Sequence, residues 1–154
     1  MEYGCIGEKL GHSFSKIIHN KLYDYNYELR EISRDGLADF LKEKDFKAIN
    51  VTIPYKQDVI PFLSEISDIA KRIGAVNTIV NKNGKLYGYN TDFSGMTALI
   101  KLNGIEISGK TVLVLGSGPA GFAAAYTAAK NGGAIYISHT NANVSGAETK
   151  IINK

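Results

Sequence analysis

Cysteine is nearly absent: Cys5 is the one thiol in 154 residues, which excludes an internal disulfide framework and any metal cluster made of cysteine alone. His12, His19 and His139 have no metal-ligand spacing, so no metal is expected. No run of about 18 apolar residues occurs, and residues 1–16 lack a basic stretch followed by a long apolar one, so neither a membrane span nor a secretory leader is read. A one-sided charge is lacking too. Eighteen Lys and Arg against fifteen Asp and Glu leave +3, with signs alternating along the chain, so nucleic acid is not implied. Repeats and low-complexity tracts are missing, and 44% hydrophobic with 21% charged residues is ordinary globular usage. These absences leave a folded chain of one ordinary domain or two small ones, expected in the reducing cytoplasm.

What is present is an alternation of strand-like and helix-like apolar spacing, the pattern of a largely parallel sheet covered by helices. Strands are predicted over 3–7, 27–33, 48–53, 111–115 and 134–138, and helices over 14–25, 37–44, 57–63, 67–72, 92–102 and 119–131. In the first helix Ile17, Ile18, Leu22 and Tyr25 fall near one face. Strand-like stretches at 76–81 and 85–89 flank Lys82-Asn83-Gly84, whose Asn-Gly pair signals a hairpin. Residues 148–152 could begin another helix. Asn103-Gly104 closes the helix at 92–102, and a domain boundary near 104–108 divides the chain into 1–104 and 105–154.

Gly116-Ser117-Gly118-Pro119-Ala120-Gly121 is a G-x-G-x-x-G that follows a predicted strand and opens a predicted helix, the context the pattern requires. Glycines let the backbone turn tightly and approach a pyrophosphate, whose charge meets N–H groups at the helix N-terminus. Pro119 suits the first helical turn, where its missing N–H has no intrahelical partner. A tight turn with no nucleotide is the bland alternative. About 20 residues past the first glycine, where an acid would bind the ribose hydroxyls of NAD, stands Ser138-His139-Thr140. The missing acid disfavours NAD and permits a 2′-phosphate, although no arginine is present to clamp one.

Three polar clusters stand at turns upstream: His12-Ser13-Phe14-Ser15, then Asn50 to Lys56, then Asn77-Thr78 with Asn90-Thr91-Asp92. Hydroxyls, amides, one amine and one carboxylate are what a polyhydroxylated carboxylic acid needs. In parallel-sheet proteins, loops at strand ends converge on one edge, where ligands bind.

In order and over nearly the whole chain, HSFS (12–15) with His19-Asn20, NVTIPYK (50–56), GAVNTIV (74–80), GYNTD (88–92) with Gly95, and GSGPAG (116–121) resemble the shikimate dehydrogenase family. The resemblance implies an α/β fold: an open-sheet, shikimate-binding catalytic domain at 1–104, then the start of a Rossmann NADP-binding domain, one βαβ, at 105–154. It implies NADP(H) as cofactor and reversible reduction of 3-dehydroshikimate to shikimate, on the route to aromatic amino acids. By motif, the hydroxyls of Ser13 and Ser15 would bind the substrate carboxylate with Thr52 close by. Lys56 and Asp92 would be the catalytic pair, Asn77 would hold ring hydroxyls, and Gly116, Ser117, Gly118, Pro119, Ala120 and Gly121 would bind the cofactor. The chemistry is coherent: hydride delivery builds negative charge on a ketone oxygen, which a Lys ammonium within reach stabilises and protonates.

Bland alternatives stand beside these roles. Ser13 and Ser15 could be helix caps, Lys56 a solvated charge, Asp92 a cap for the helix beside it, and Cys5 a small core residue. The chain departs from the family pattern at Lys16, where Pro is usual, and at Ser138-His139-Thr140, where Asn-Arg-Thr is usual. Family members also run roughly a hundred residues longer, and one βαβ leaves a sheet edge uncovered. A truncated product, a fragment or a homodimer would each account for that. A module that binds shikimate without turning it over, and a quinate-using relative, are the competing readings.

Overall fold

The computed structural model describes residues 1–11, 13–116, 118–139 and 148–152. Its elements are β1 (Tyr3–Gly7), α1 (Ser15–Leu22), β2 (Tyr27–Glu31), α2 (Leu37–Glu43), β3 (Ala48–Val51), β4 (Glu65–Ile66), α3 (Asp68–Ile73), β5 (Thr78–Lys82), β6 (Lys85–Tyr89), α4 (Asp92–Leu102), β7 (Thr111–Leu115), α5 (Pro119–Lys130), β8 (Ala134–His139) and β9 (Glu148–Ile152). The chain divides into two compact units, Met1–Asn90 and Thr91–Lys154.

The first unit is built on a six-stranded sheet of order β2-β1-β3-β5-β6-β4. It is mixed where a largely parallel sheet is expected: β1 pairs in parallel with β2 and β3, whereas β5 runs antiparallel to both β3 and β6. The cause is local. The Asn83-Gly84 turn, with both residues at positive φ, folds β6 directly back on β5 and leaves no length for a crossover.

Strand alternation separates two cores. Ile6, Ile49, Val51, Ile79 and Leu86 point to one face, where Leu37, Phe40 and Leu41 of α2, with Tyr55 and Val59, cover them. Cys5, Leu10 and Tyr27 form a smaller cluster, with Tyr3, Tyr25 and Leu29 against it. Helix α1 buries none of its residues, and Ile17, Ile18 and Leu22 are exposed, contrary to the inward face its spacing predicts. The helix expected over 57–63 shrinks to a 3-10 turn at Ile60–Phe62, because Pro61 lacks the N–H that a longer helix would use.

In the second unit β7 and β8 are parallel and joined by α5, the expected βαβ. Residues 148–152 are a strand, correcting the helical expectation: β9 pairs antiparallel with β8, from Ile135↔Ile152 to His139↔Glu148. The β-branched pair Ile151-Ile152 suits that extended pairing better than a helix. Ile107, Val114, Ala125, Ala128 and Ile135 form the core, with Ile100 of α4 packed against it. Phe93 of α4 also meets Tyr126 of α5, with ring centroids 5.1 Å apart. Packing therefore assigns α4, which ends at Leu102, to the second unit, and the division falls before this helix and not near 104–108.

Candidate functional site

Strand ends place the first group of polar residues. Ser13, Ser15 and Thr52 line one open cavity of about 440 Å³, together with Cys5, Glu8, Leu10 and Pro54, beyond the C-terminal ends of β1 and β3. Two backbone bonds hold these ends together, Thr52 N to Ile6 O at 3.0 Å and Glu8 N to Ile53 O at 3.3 Å. Gly7 permits the approach: a Cβ there would lie 2.8 Å from Thr52 Cγ2 and 2.9 Å from Leu10 Cδ2. Ser13 Oγ accepts a hydrogen bond from Ser15 N at 3.3 Å, so it does part of the capping at the start of α1. That bond uses an oxygen lone pair and not the hydroxyl proton. His12 lies outside the described residues.

Lys56 sits in the turn that leaves β3 through a cis Ile53–Pro54 peptide. Its carbonyl accepts from Val76 N at 2.8 Å, and Val51 N donates to Asn77 O at 2.8 Å, so the Lys56 and Asn77 segments are fastened side by side. Burial pushes the Cys5 thiol above its ordinary pKa, and the Lys56 ammonium pulls it in the opposite direction. Lys56 and Thr52 are half-buried and Asn77 is buried. Asp92 opens α4 in the second unit, where a carboxylate complements the helix dipole.

A hydrogen-bonded row crosses the sheet from Tyr27, which the sequence did not single out, to Asn50, Thr78 and Asn77, which it did. Tyr27 Oη donates to Asn50 Oδ1 at 2.6 Å, and Asn50 Nδ2 donates to Thr78 Oγ1 at 3.3 Å. Thr78 Oγ1 donates to Asn77 Oδ1 at 3.1 Å. Asn50, a polar residue between Ile49 and Val51 on a buried strand, needs such a partner, and the sequence could not name Tyr27 as that partner.

In the second unit, Gly116 has φ 113, a conformation open to glycine. At Gly121 a Cβ would lie 2.2 Å from Gly116 O, so the helix start can pack against the strand end only without a side chain. At Gly118 an added Cβ would meet nothing within 4 Å, and no side chain caps α5, whose first residue Pro119 has no N–H. Ala120 lies in the first turn, and Ser117 falls outside the described residues. A tight turn, an approach open above Gly118 and an uncapped helix N-terminus fit a diphosphate. Strand β8 ends at His139 with no acid, and Thr140 also lies outside the described residues.

These features define a class: a two-unit α/β protein with a hydroxyl-lined cavity at the strand ends of its first unit and a dinucleotide-type turn in its second. Residues 5–79 match the family described as the shikimate dehydrogenase substrate binding domain. It is 48% identical over 126 residues to the shikimate dehydrogenase (NADP(+)) of Clostridium beijerinckii, covering 77% of this chain and 47% of that protein. Shikimate dehydrogenase 1 of Peptoclostridium difficile superposes with a TM-score of 0.86 at 36% identity, over 95% of this chain and 58% of that one. The shikimate 5-dehydrogenase of Thermus thermophilus, solved in complex with NADP(H) and shikimate, gives 0.81 at 33% identity, over 89% and 55%. The chain spans about half the length of the curated relatives it matches.

Proposed function

We propose that this chain carries the substrate side of a shikimate dehydrogenase and acts in the reversible, NADPH-dependent reduction of 3-dehydroshikimate to shikimate. The observation that supports this reading is the meeting of Ser13, Ser15 and Thr52 in one cavity, at the end of the strand whose following turn carries Lys56. In the proposed pose the two serine hydroxyls donate to the substrate carboxylate, and Thr52 adds a third hydroxyl. Asn77, immediately before β5, holds ring hydroxyls.

Lys56 donates the proton that the carbonyl oxygen takes up on reduction, and in the reverse direction it receives that proton. Its positive charge stabilises the oxyanion as it develops, the usual task of a cation at a reacting carbonyl. Asp92 is the catalytic partner that orients the lysine and a substrate hydroxyl. Gly116, Ser117, Gly118, Pro119, Ala120 and Gly121 are the residues that would hold the pyrophosphate of NADP. When bound, that cofactor supplies the hydride.

The test is an assay of the purified chain with shikimate and NADP, followed by absorbance of the reduced cofactor, beside calorimetric titration of each ligand. Turnover that Lys56→Ala abolishes while shikimate still binds is the expected result. Binding of shikimate with no NADP(H) binding and no turnover would favour the non-catalytic module, and no shikimate binding would overturn the reading.

A further inference from the structure

Three of the four groups in the hydrogen-bonded row across the first unit, Tyr27, Asn50 and Thr78, have no place in the proposed chemistry, yet the row ends on Asn77, which does. Side-chain amides can present either end to a ligand, and which end is set by the partners of the other. The polarity here follows from two spacings. The Tyr27 Oη to Asn50 contact is 2.6 Å, the length of an O–H···O bond and short for an N–H donor, so the atom of Asn50 facing Tyr27 is its oxygen. Asn50 Nδ2 then faces Asn77 O, 3.5 Å away, a backbone carbonyl that can only accept, and Thr78 Oγ1 at 3.3 Å. Thr78 Oγ1 accepts there and donates its single proton to Asn77 Oδ1 at 3.1 Å. Each bond polarises the next in the same direction.

The geometry allows the reach. Tyr27 on β2 and Asn50 on β3 are separated by β1, about 10 Å across two strand spacings. A phenol spans this where the intervening strand carries Cys5, the small residue paired with Asn50. His19 stacks on the Tyr27 ring at 3.9 Å and 13°, and the tyrosine is 2% exposed, so its hydroxyl is held in position.

We infer that Tyr27 is a positioning residue which, through Asn50 and Thr78, turns Asn77 so that its Nδ2 end is the donor offered to the ring hydroxyls of the substrate. The inference rests on the proposed shikimate site for its ligand, and on the row alone for its mechanism. The row thus acts on the ring-hydroxyl side of the proposed site, through a residue that touches no substrate.

The experiment uses the whole chain and Tyr27→Phe, which keeps the ring stack and removes the oxygen. Side-chain amide resonances in a nitrogen-15 correlation spectrum are compared without ligand: those of Asn50 and Asn77 should move, whereas those of Asn81, outside the row, should not. Binding is then measured with shikimate and with 1-cyclohexene-1-carboxylate, which keeps the carboxylate and lacks the ring hydroxyls. Shikimate affinity should fall about fivefold to tenfold, the loss of one neutral hydrogen bond, while the analogue is held equally by both proteins. Thr78→Ser should behave as wild type and Thr78→Val as Tyr27→Phe, which covers the case of a Tyr27→Phe chain that does not fold. Unmoved Asn77 resonances overturn the inference whether or not any ligand binds. Equal losses for shikimate and analogue also overturn it, reducing Tyr27 to a general structural part. A wild-type chain that ignores shikimate but shows the Asn77 shift would overturn the proposed function and leave the row standing.

Discussion

The Tyr55 hydroxyl donates to the carbonyl of Ile32 at 2.6 Å, with the tyrosine fully buried. The bond ties the segment after β3 to the end of β2, and Tyr55 is the residue immediately before Lys56. It therefore fixes the backbone from which the lysine projects. Burial raises the phenol above its ordinary pKa, with the Glu8 carboxylate adding to that, so the hydroxyl remains a donor at neutral pH.

Tyr55→Phe leaves the Ile32 carbonyl without that donor in a buried place, a cost of about 1–3 kcal/mol. Urea denaturation followed by circular dichroism should show a lower midpoint with an unchanged slope. An unchanged midpoint would mean the bond is not an anchor.

Lys56→Ala should lower turnover by about 10²–10⁴, the range for loss of a positioned proton donor, with shikimate binding changed far less. Steady-state rates and calorimetry on the same preparations separate the two quantities. A variant as fast as wild type would remove Lys56 from the chemistry.

Two glycine variants separate folding from cofactor binding. Gly121→Ala forces a Cβ to within 2.2 Å of Gly116 O, so the turn must shift and the unit should lose about 1–3 kcal/mol. Gly118→Ala meets no atom within 4 Å and should melt close to wild type while binding NADP more weakly. Equal NADP affinity in Gly118→Ala and wild type would show that the ligand does not approach over this residue.

His19 gives the fold a pH dependence. Partial burial lowers its pKa below the ordinary value of 6.5, so the folded chain favours the neutral imidazole. No penalty exists above that value; below it the unfolded chain binds more protons and stability declines until the folded pKa is also passed. The melting temperature should therefore drop between about pH 7.5 and 5.5, and His19→Gln should drop less. Parallel curves for the two proteins would exclude His19 as the source.

Local signals carried much of this protein. Asn83-Gly84 specified the hairpin because φ > 0 at both residues is open to that pair, and the glycines at 116 and 121 specified the strand-to-helix turn by the absence of Cβ atoms. The ordered motifs pointed to the family and nominated Ser13, Ser15 and Thr52 before any geometry was known.

Other features depend on which segments meet, and periodicity is silent on that. Residues 148–152 form a strand because β8 offers an edge, not because of their own spacing. Helix α4 belongs with α5 because Ile100 and Phe93 find partners there, although its end looked like a domain boundary. Tyr27 reads in the sequence as one more alternating strand residue. Only the tertiary fold carries its hydroxyl across β1 to Asn50, because side-chain hydrogen bonds depend on distances between strands, and these two residues lie 23 apart in the chain. The sequence by itself determined which chemical groups this protein owns and the turns that local backbone sterics dictate; the packing of strands decided which of those groups act on one another.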